Sequence, residues 1–149
     1  MQEYVYRMKI KSVKKIRLLE KLGFNLYKDE DGEEVVAKPI VLPFECGIVK
    51  NTKKLFEHFY KEATEEEKED FKDFDFNEDG TVVITPEIKK EWTECQICFY
   101  TNGLGKNQLF INAPDHNQYF NSLVLDECAG EFINELLKDK IIYKAKVKH

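Results

Sequence analysis

Tyr4, Tyr6, Met8 and Ile10 alternate with Val5, Arg7, Lys9 and Lys11, a period of two that predicts a strand. From Val13 the spacing changes: Val13, Ile16, Leu19 and Leu22 fall on one helical face, with Ser12 placed to cap the helix and Gly23 to end it. Phe24–Lys28 and Glu34–Leu42 flank Asp31-Gly32, a hairpin signal, and Pro39 and Pro43 put the second strand near a sheet edge. Leu55, Phe56, Phe59 and Tyr60 share one face of a helix over Thr52–Glu62. Thr64 and Glu67 have the spacing of a capping box for a further short helix, with Phe71 and Phe74 facing inward.

Asp79-Gly80 marks a second turn, followed by the β-branched run Val82-Val83-Ile84. Thr85-Pro86 opens a helix that reaches Trp92, with threonine as cap and proline at the first position. Cys95–Thr101 and Gln108–Asn112 read as two strands joined by a glycine-rich turn. From Asn117 to Lys138, Phe120, Val124, Cys128, Phe132, Ile133, Leu136 and Leu137 keep helical spacing, and Tyr119–Leu125 also fits a strand. Ile141–Val147 closes the chain as a strand. Helices and hairpins without βαβ alternation predict one α+β domain over residues 1–149, with a mainly antiparallel sheet and a long helix near the C-terminus.

Composition bounds the function. The longest apolar runs, such as Pro39–Phe44, fall far short of the ~20 residues a membrane span needs. Met1–Lys11 lacks the apolar core of a signal peptide, so a cytoplasmic protein without membrane contact is expected. The net charge of −5 conceals segregation. Residues 1–22 hold seven basic and two acidic side chains, a balance of +5, and residues 138–149 hold five lysines and Asp139, a balance of +4. The stretch between them holds 11 basic and 25 acidic residues, a balance of −14. Only Arg7 and Arg17 are arginines, and bidentate reading of guanine edges relies mainly on arginine. An acidic body also repels phosphate backbones, which disfavours nucleic acid as a partner.

Several motifs carry candidate chemistry. Asp75-Phe76-Asn77-Glu78-Asp79-Gly80-Thr81-Val82 is similar to the first eight positions of an EF-hand calcium loop, with oxygens at alternate positions and a turning glycine. The twelfth position, which should supply a bidentate glutamate, is Pro86, and Glu87 lies one residue beyond. Calcium is thus one alternative, held by Asp75, Asn77, Asp79 and Glu87; otherwise no cofactor is expected. Cys95-Gln96-Ile97-Cys98 has zinc-knuckle spacing, but on a strand the two sulfurs point to opposite faces and no second pair completes a tetrahedral set. Cys46 and Cys128 stand alone, so four reduced, buried thiols are expected.

Thr101–Asn107 has the glycines of a phosphate cradle but leads into a strand instead of a helix. Asn102, Lys106, Asn107, Asp115, His116 and Asn117 form a polar stretch suited, as an alternative, to a nucleotide-like small ligand. His58, His116 and His149 are scattered with no nucleophile to pair, so catalysis is not expected. The most distinctive stretch is Glu62–Asp79, with ten acidic residues among eighteen, interleaved with Phe71, Phe74 and Phe76. Glu65, Glu66, Glu69, Asp70 and Asp73 suit docking on the basic groove of a protein partner. Small inhibitory proteins of phages and toxin systems use acidic surfaces in this way, so by analogy of charge a binding protein with a blocking or neutralising role is expected.

Overall fold

The computed structural model describes residues 3–113 and 117–147. Among these residues, seven strands and five α-helices alternate irregularly in an α+β fold: β1 (Tyr4–Met8), α1 (Ile10–Val13), α2 (Ile16–Lys21), β2 (Asn25–Lys28), β3 (Glu34–Val41), α3 (Gly47–Glu62), a 3-10 helix (Glu67–Phe71), α4 (Pro86–Thr93), β4 (Glu94–Tyr100), β5 (Phe110–Asn112), β6 (Gln118–Tyr119), α5 (Ser122–Lys138) and β7 (Ile142–Lys146). One antiparallel sheet has the order β2-β3-β4-β5-β6, and β1 pairs antiparallel with β7 in a two-stranded ribbon. The ribbon joins the larger sheet's end: Met8 N–H donates to Asn107 O (2.7 Å) and Leu109 N–H to Tyr6 O (2.8 Å).

Alternation along β4 separates two apolar clusters. Cys95, Ile97 and Phe99 enter the main core with Tyr6, Met8, Phe24, Leu125, Ile133 and Leu136. Cys98 faces the other way, opposite Ala37 and Phe110, in a small second cluster. Period-2 geometry thus sends the two cysteines to opposite faces, as their spacing predicts. Both carry thiols, and burial pushes that of Cys98 up to about 12.

The edge expectation for β3 is corrected, because β3 lies between β2 and β4. Its proline is tolerated for a local reason. Thr101 N–H donates to Glu34 O (3.5 Å), so even-numbered residues of β3 bond to β4 and odd-numbered ones turn to β2. The last β2 partner is Asn25, opposite Ala37. Pro39 therefore turns its missing N–H to a side that β2 no longer reaches.

Other boundaries move for identifiable reasons. Residues 10–21 form two short helices broken at Lys14-Lys15, and Ser12 is buried inside the first instead of capping it. Ile10 accordingly leaves the strand pattern and is exposed. Gly23 ends α2 as expected, at φ +94°, where a side chain would be strained. The third helix starts at Gly47, five residues before Thr52, and buries Ile48 and Val49 there. Leu55 and Phe59 face outward, while Phe56 and Tyr60 are half-buried. Val82–Ile84 makes a single bridge, Phe76 to Val82, in place of a strand. Of Tyr119–Leu125 only Tyr119 is strand, at the end of β6; α5 takes over from Ser122, with Asn121 accepting the Leu123 N–H (2.7 Å) as the helix cap.

The expectation of four thiols is overturned. Cys46 and Cys128 are joined by a disulfide across 82 residues. Cys46 is the residue before α3 and Cys128 lies in α5 next to Ala129, where the helix is kinked. Glu127 reinforces the junction by accepting the Gly47 N–H (2.7 Å), one of the orphan donors at the start of α3. Sequence separation hides such a pair, since only the packing of α3 on α5 brings the sulfurs together.

Candidate functional site

The acidic segment is built on aromatic side chains. Phe56 and Tyr60 stand one turn apart on α3. Phe56 meets Phe71 edge-on (5.5 Å between centroids), Phe74 at 4.6 Å and Trp92 of α4 at 5.7 Å. Tyr60 stacks flat on Phe76 at 3.6 Å and meets Phe71 at 5.8 Å. Each such pair adds roughly 0.5–1.5 kcal/mol beyond area burial. Together they fix residues 67–76 on α3 by side chains spaced along a segment otherwise too polar to bury.

The reciprocal Thr64–Glu67 bonds form as predicted, but they close the turn that leads into a 3-10 helix and do not cap an α-helix. Glu67 N–H donates to Thr64 Oγ1 (3.2 Å), and Thr64 Oγ1 and N–H approach Glu67 Oε1 at 3.0 and 3.4 Å. Lys68 pairs with Glu65 (3.6 Å) and places its Nζ 5.0 Å from the Tyr60 ring centre. Glu65, Glu66, Glu69, Asp70 and Asp73 are all exposed. Glu66, Glu69, Asp70 and Asp73 form no ion pair among the described residues. The structure thus brings the five predicted docking residues onto one short, anchored segment and leaves four carboxylates un-neutralised.

The calcium-like stretch is a tight turn. Asn77 N–H donates to Thr81 O (2.7 Å) and Gly80 N–H to Asn77 O (2.9 Å), with Gly80 at φ +86°. Asp79 Oδ1 accepts from Thr81 Oγ1 (2.6 Å) and Thr81 N–H (3.0 Å), and Asn77 Nδ2 donates to Thr81 Oγ1 (2.9 Å). The Thr81 hydroxyl and amide hold the Asp79 carboxyl below its ordinary value of 3.8. Glu87 sits in the first turn of α4, where a carboxylate complements the helix dipole. Among the described residues, no group of three or more His, Cys, Asp or Glu side chains converges as a metal site. The turn is tied back to α3, since Glu57 Oε1 accepts the Val82 N–H (3.3 Å).

The described part of the polar stretch divides between an exposed turn and the strands beside it. Asn102 and Lys106 are exposed in the turn. Asn107 points inward at φ 66°, with its N–H on Tyr100 O (2.7 Å) and its Oδ1 buried without a partner among the described residues. Asn117 O accepts the Ala113 N–H (3.0 Å). Asp115 and His116 lie outside the described residues.

Two polar contacts escape the sequence reading. Asp126 of α5 accepts the hydroxyls of Tyr6 (2.6 Å) and Tyr4 (3.2 Å), joining β1 to α5. Burial, followed by that hydrogen bond to Asp126, pushes the Tyr6 hydroxyl well above its usual range. Tyr100 OH donates to Asp29 Oδ2 (3.3 Å) and accepts from Gln118 Nε2 (3.1 Å). The alternation of Tyr4 and Tyr6 was the only signal available, and it names no acceptor. The two basic ends do meet, because β1 and β7 pair from Tyr4 opposite Lys146 to Met8 opposite Ile142. No family model, curated protein or solved structure matches the chain.

Proposed function

We propose that this protein acts by binding: the carboxylates of residues 65–73 dock on a basic surface of a protein partner and block it. The observation that carries the reading is that Glu66, Glu69, Asp70 and Asp73 are exposed and un-neutralised on a segment pinned by the Phe56, Tyr60, Phe71 and Phe76 rings. A charged surface fixed in advance loses little side-chain and backbone freedom on association. Like charges held together also raise the encounter rate with an opposite surface and repel phosphates. The Asp79 carboxylate and the Asn77 amide serve the turn, and Glu87 the start of α4, which favours the acidic segment over calcium as the seat of binding.

No helix among the described residues is long and apolar enough to cross a membrane. The Cys46–Cys128 bridge favours action in oxidising surroundings over the reducing cytoplasm expected from the character of Met1–Lys11. The test is a pull-down from cell lysate with the native chain and a Glu65→Lys/Glu66→Lys/Glu69→Lys/Asp73→Lys variant. A basic protein retained by the first and lost by the second supports docking; equal retention by both overturns it.

A further inference from the structure

The five-stranded sheet ends on one side at β2, a four-residue strand exposed along its whole length. Asp29 N–H donates to Glu33 O (3.0 Å), which sets the alternation of the hairpin: odd-numbered residues of β2 bond to β3. The N–H and C=O groups of Leu26 and Lys28 therefore point to the open side, where no strand lies among the described residues. Leu26 stands opposite the buried Val36, so it lies on the core face of the sheet, yet it is 62% exposed. Beside it Ile16 is 68% exposed, and the two border a cavity of about 260 Å³ whose walls include Val13, Leu19 and Phe24. The apolar core thus runs out to an uncovered strand edge.

The charges along that edge say what covers it. Beyond one end of β2 is the hairpin turn, where exposed Glu30, Asp31 and Glu33 outnumber Lys28; before the other end, exposed Arg17 and Lys21 of α2 outnumber Glu20, which borders the cavity. None of these side chains forms an ion pair among the described residues. One end of the edge is net negative and the other net positive, so the edge is complementary to itself turned by half a rotation. We propose that a second copy of the chain pairs with β2 antiparallel about a two-fold axis at Tyr27, joining the two five-stranded sheets into a ten-stranded one.

In that register Leu26 of each copy exchanges backbone hydrogen bonds with Lys28 of the other, using the N–H and C=O groups that both residues leave open. Even-numbered residues of both copies lie on one face, so each Leu26 is within diagonal reach of the other. The acidic turn of each copy comes alongside the Lys21 end of its mate. A two-fold contact of this kind is isologous and closes at two copies. The contact is small, so the dimer forms with concentration and weakens with salt. This inference is independent of the acidic docking segment, which lies elsewhere in the chain.

Sedimentation velocity of the full chain from about 1 μM to about 1 mM reads the equilibrium directly. A dimer growing with concentration and receding at high salt is expected. Leu26→Pro removes an outward N–H and the leucine side chain, leaves the β3 bonds in place and should abolish the dimer. Lys21→Glu and Asp31→Lys should each weaken it about tenfold or more, and the double variant should restore it, because the pair is merely exchanged between copies. The exchange decides the matter where Leu26→Pro disturbs folding, and circular dichroism confirms that the charge variants remain folded. A chain that stays monomeric throughout, even one that takes up an added extended peptide, overturns the proposal. So does a dimer indifferent to both charge reversals, or one that the double variant fails to restore.

Discussion

Cutting the Cys46–Cys128 bridge is the perturbation whose size follows most simply from the fold. The bond closes a loop of 82 residues, and loop-closure entropy assigns such a cross-link about 4.5 kcal/mol at 25 °C. At about 2–4 °C per kcal/mol for a domain of this size, reduction should lower the melting temperature by roughly 9–18 °C. Glu127 still accepts the Gly47 N–H afterwards, so the first turn of α3 stays tied to α5 by that bond. The assay is a circular-dichroism melt of the native chain, the chain in excess dithiol, and a Cys46→Ala/Cys128→Ala variant. Alkylation under denaturing, non-reducing conditions counts thiols alongside and should modify Cys95 and Cys98 only. Four modified cysteines would refute the linkage. Melting curves that coincide with and without dithiol would refute the magnitude.

Other expectations follow from the same contacts. Phe56→Ala removes the ring that Phe71, Phe74 and Trp92 share; since Phe56 is half-buried, urea unfolding should show a loss of about 2 kcal/mol, with amides of residues 67–74 exchanging faster. Unchanged exchange there would mean that the rings do not anchor the segment. Asp79 has a lowered pKa in the folded state, so its contact with Thr81 favours folding above the ordinary 3.8 and is lost as pH falls through the lowered value. An NMR titration should place its midpoint below 3.8, and Thr81→Ala should return it upward. A midpoint indifferent to Thr81 would contradict the turn geometry.

What the sequence made legible was local. Gly23, the Thr64–Glu67 box, the Asp31-Gly32 and Asp79-Gly80 turns and the Thr85-Pro86 cap each act within a few residues, and each appears where its chemistry put it. The opposite facing of Cys95 and Cys98 was legible for the same reason, since strand alternation is local. Side chains whose place depends on distant elements were not. Leu55 and Phe59 share helical spacing with Phe56 and Tyr60, but the 3-10 segment and α4 cover only the latter two. The Cys46–Cys128 bridge and the Tyr6–Asp126 contact span 82 and 120 residues, beyond any periodicity. The acidic segment was readable as composition, whereas its aromatic footing depends on rings of α3 and α4 that the fold brings to it.

The central claim is that anchored carboxylates carry binding, and the ionic-strength dependence of association tests it most directly. With a basic protein captured from lysate, stopped-flow association of the native chain should slow steeply as salt rises over one Debye-length scale, roughly 30 Å at 0.01 M to 8 Å at 0.15 M. The Glu65→Lys/Glu66→Lys/Glu69→Lys/Asp73→Lys variant should associate far more slowly at low salt while keeping its melting temperature, because all four positions are exposed. A native rate indifferent to salt, or a variant that associates as fast as the native chain, would contradict the account.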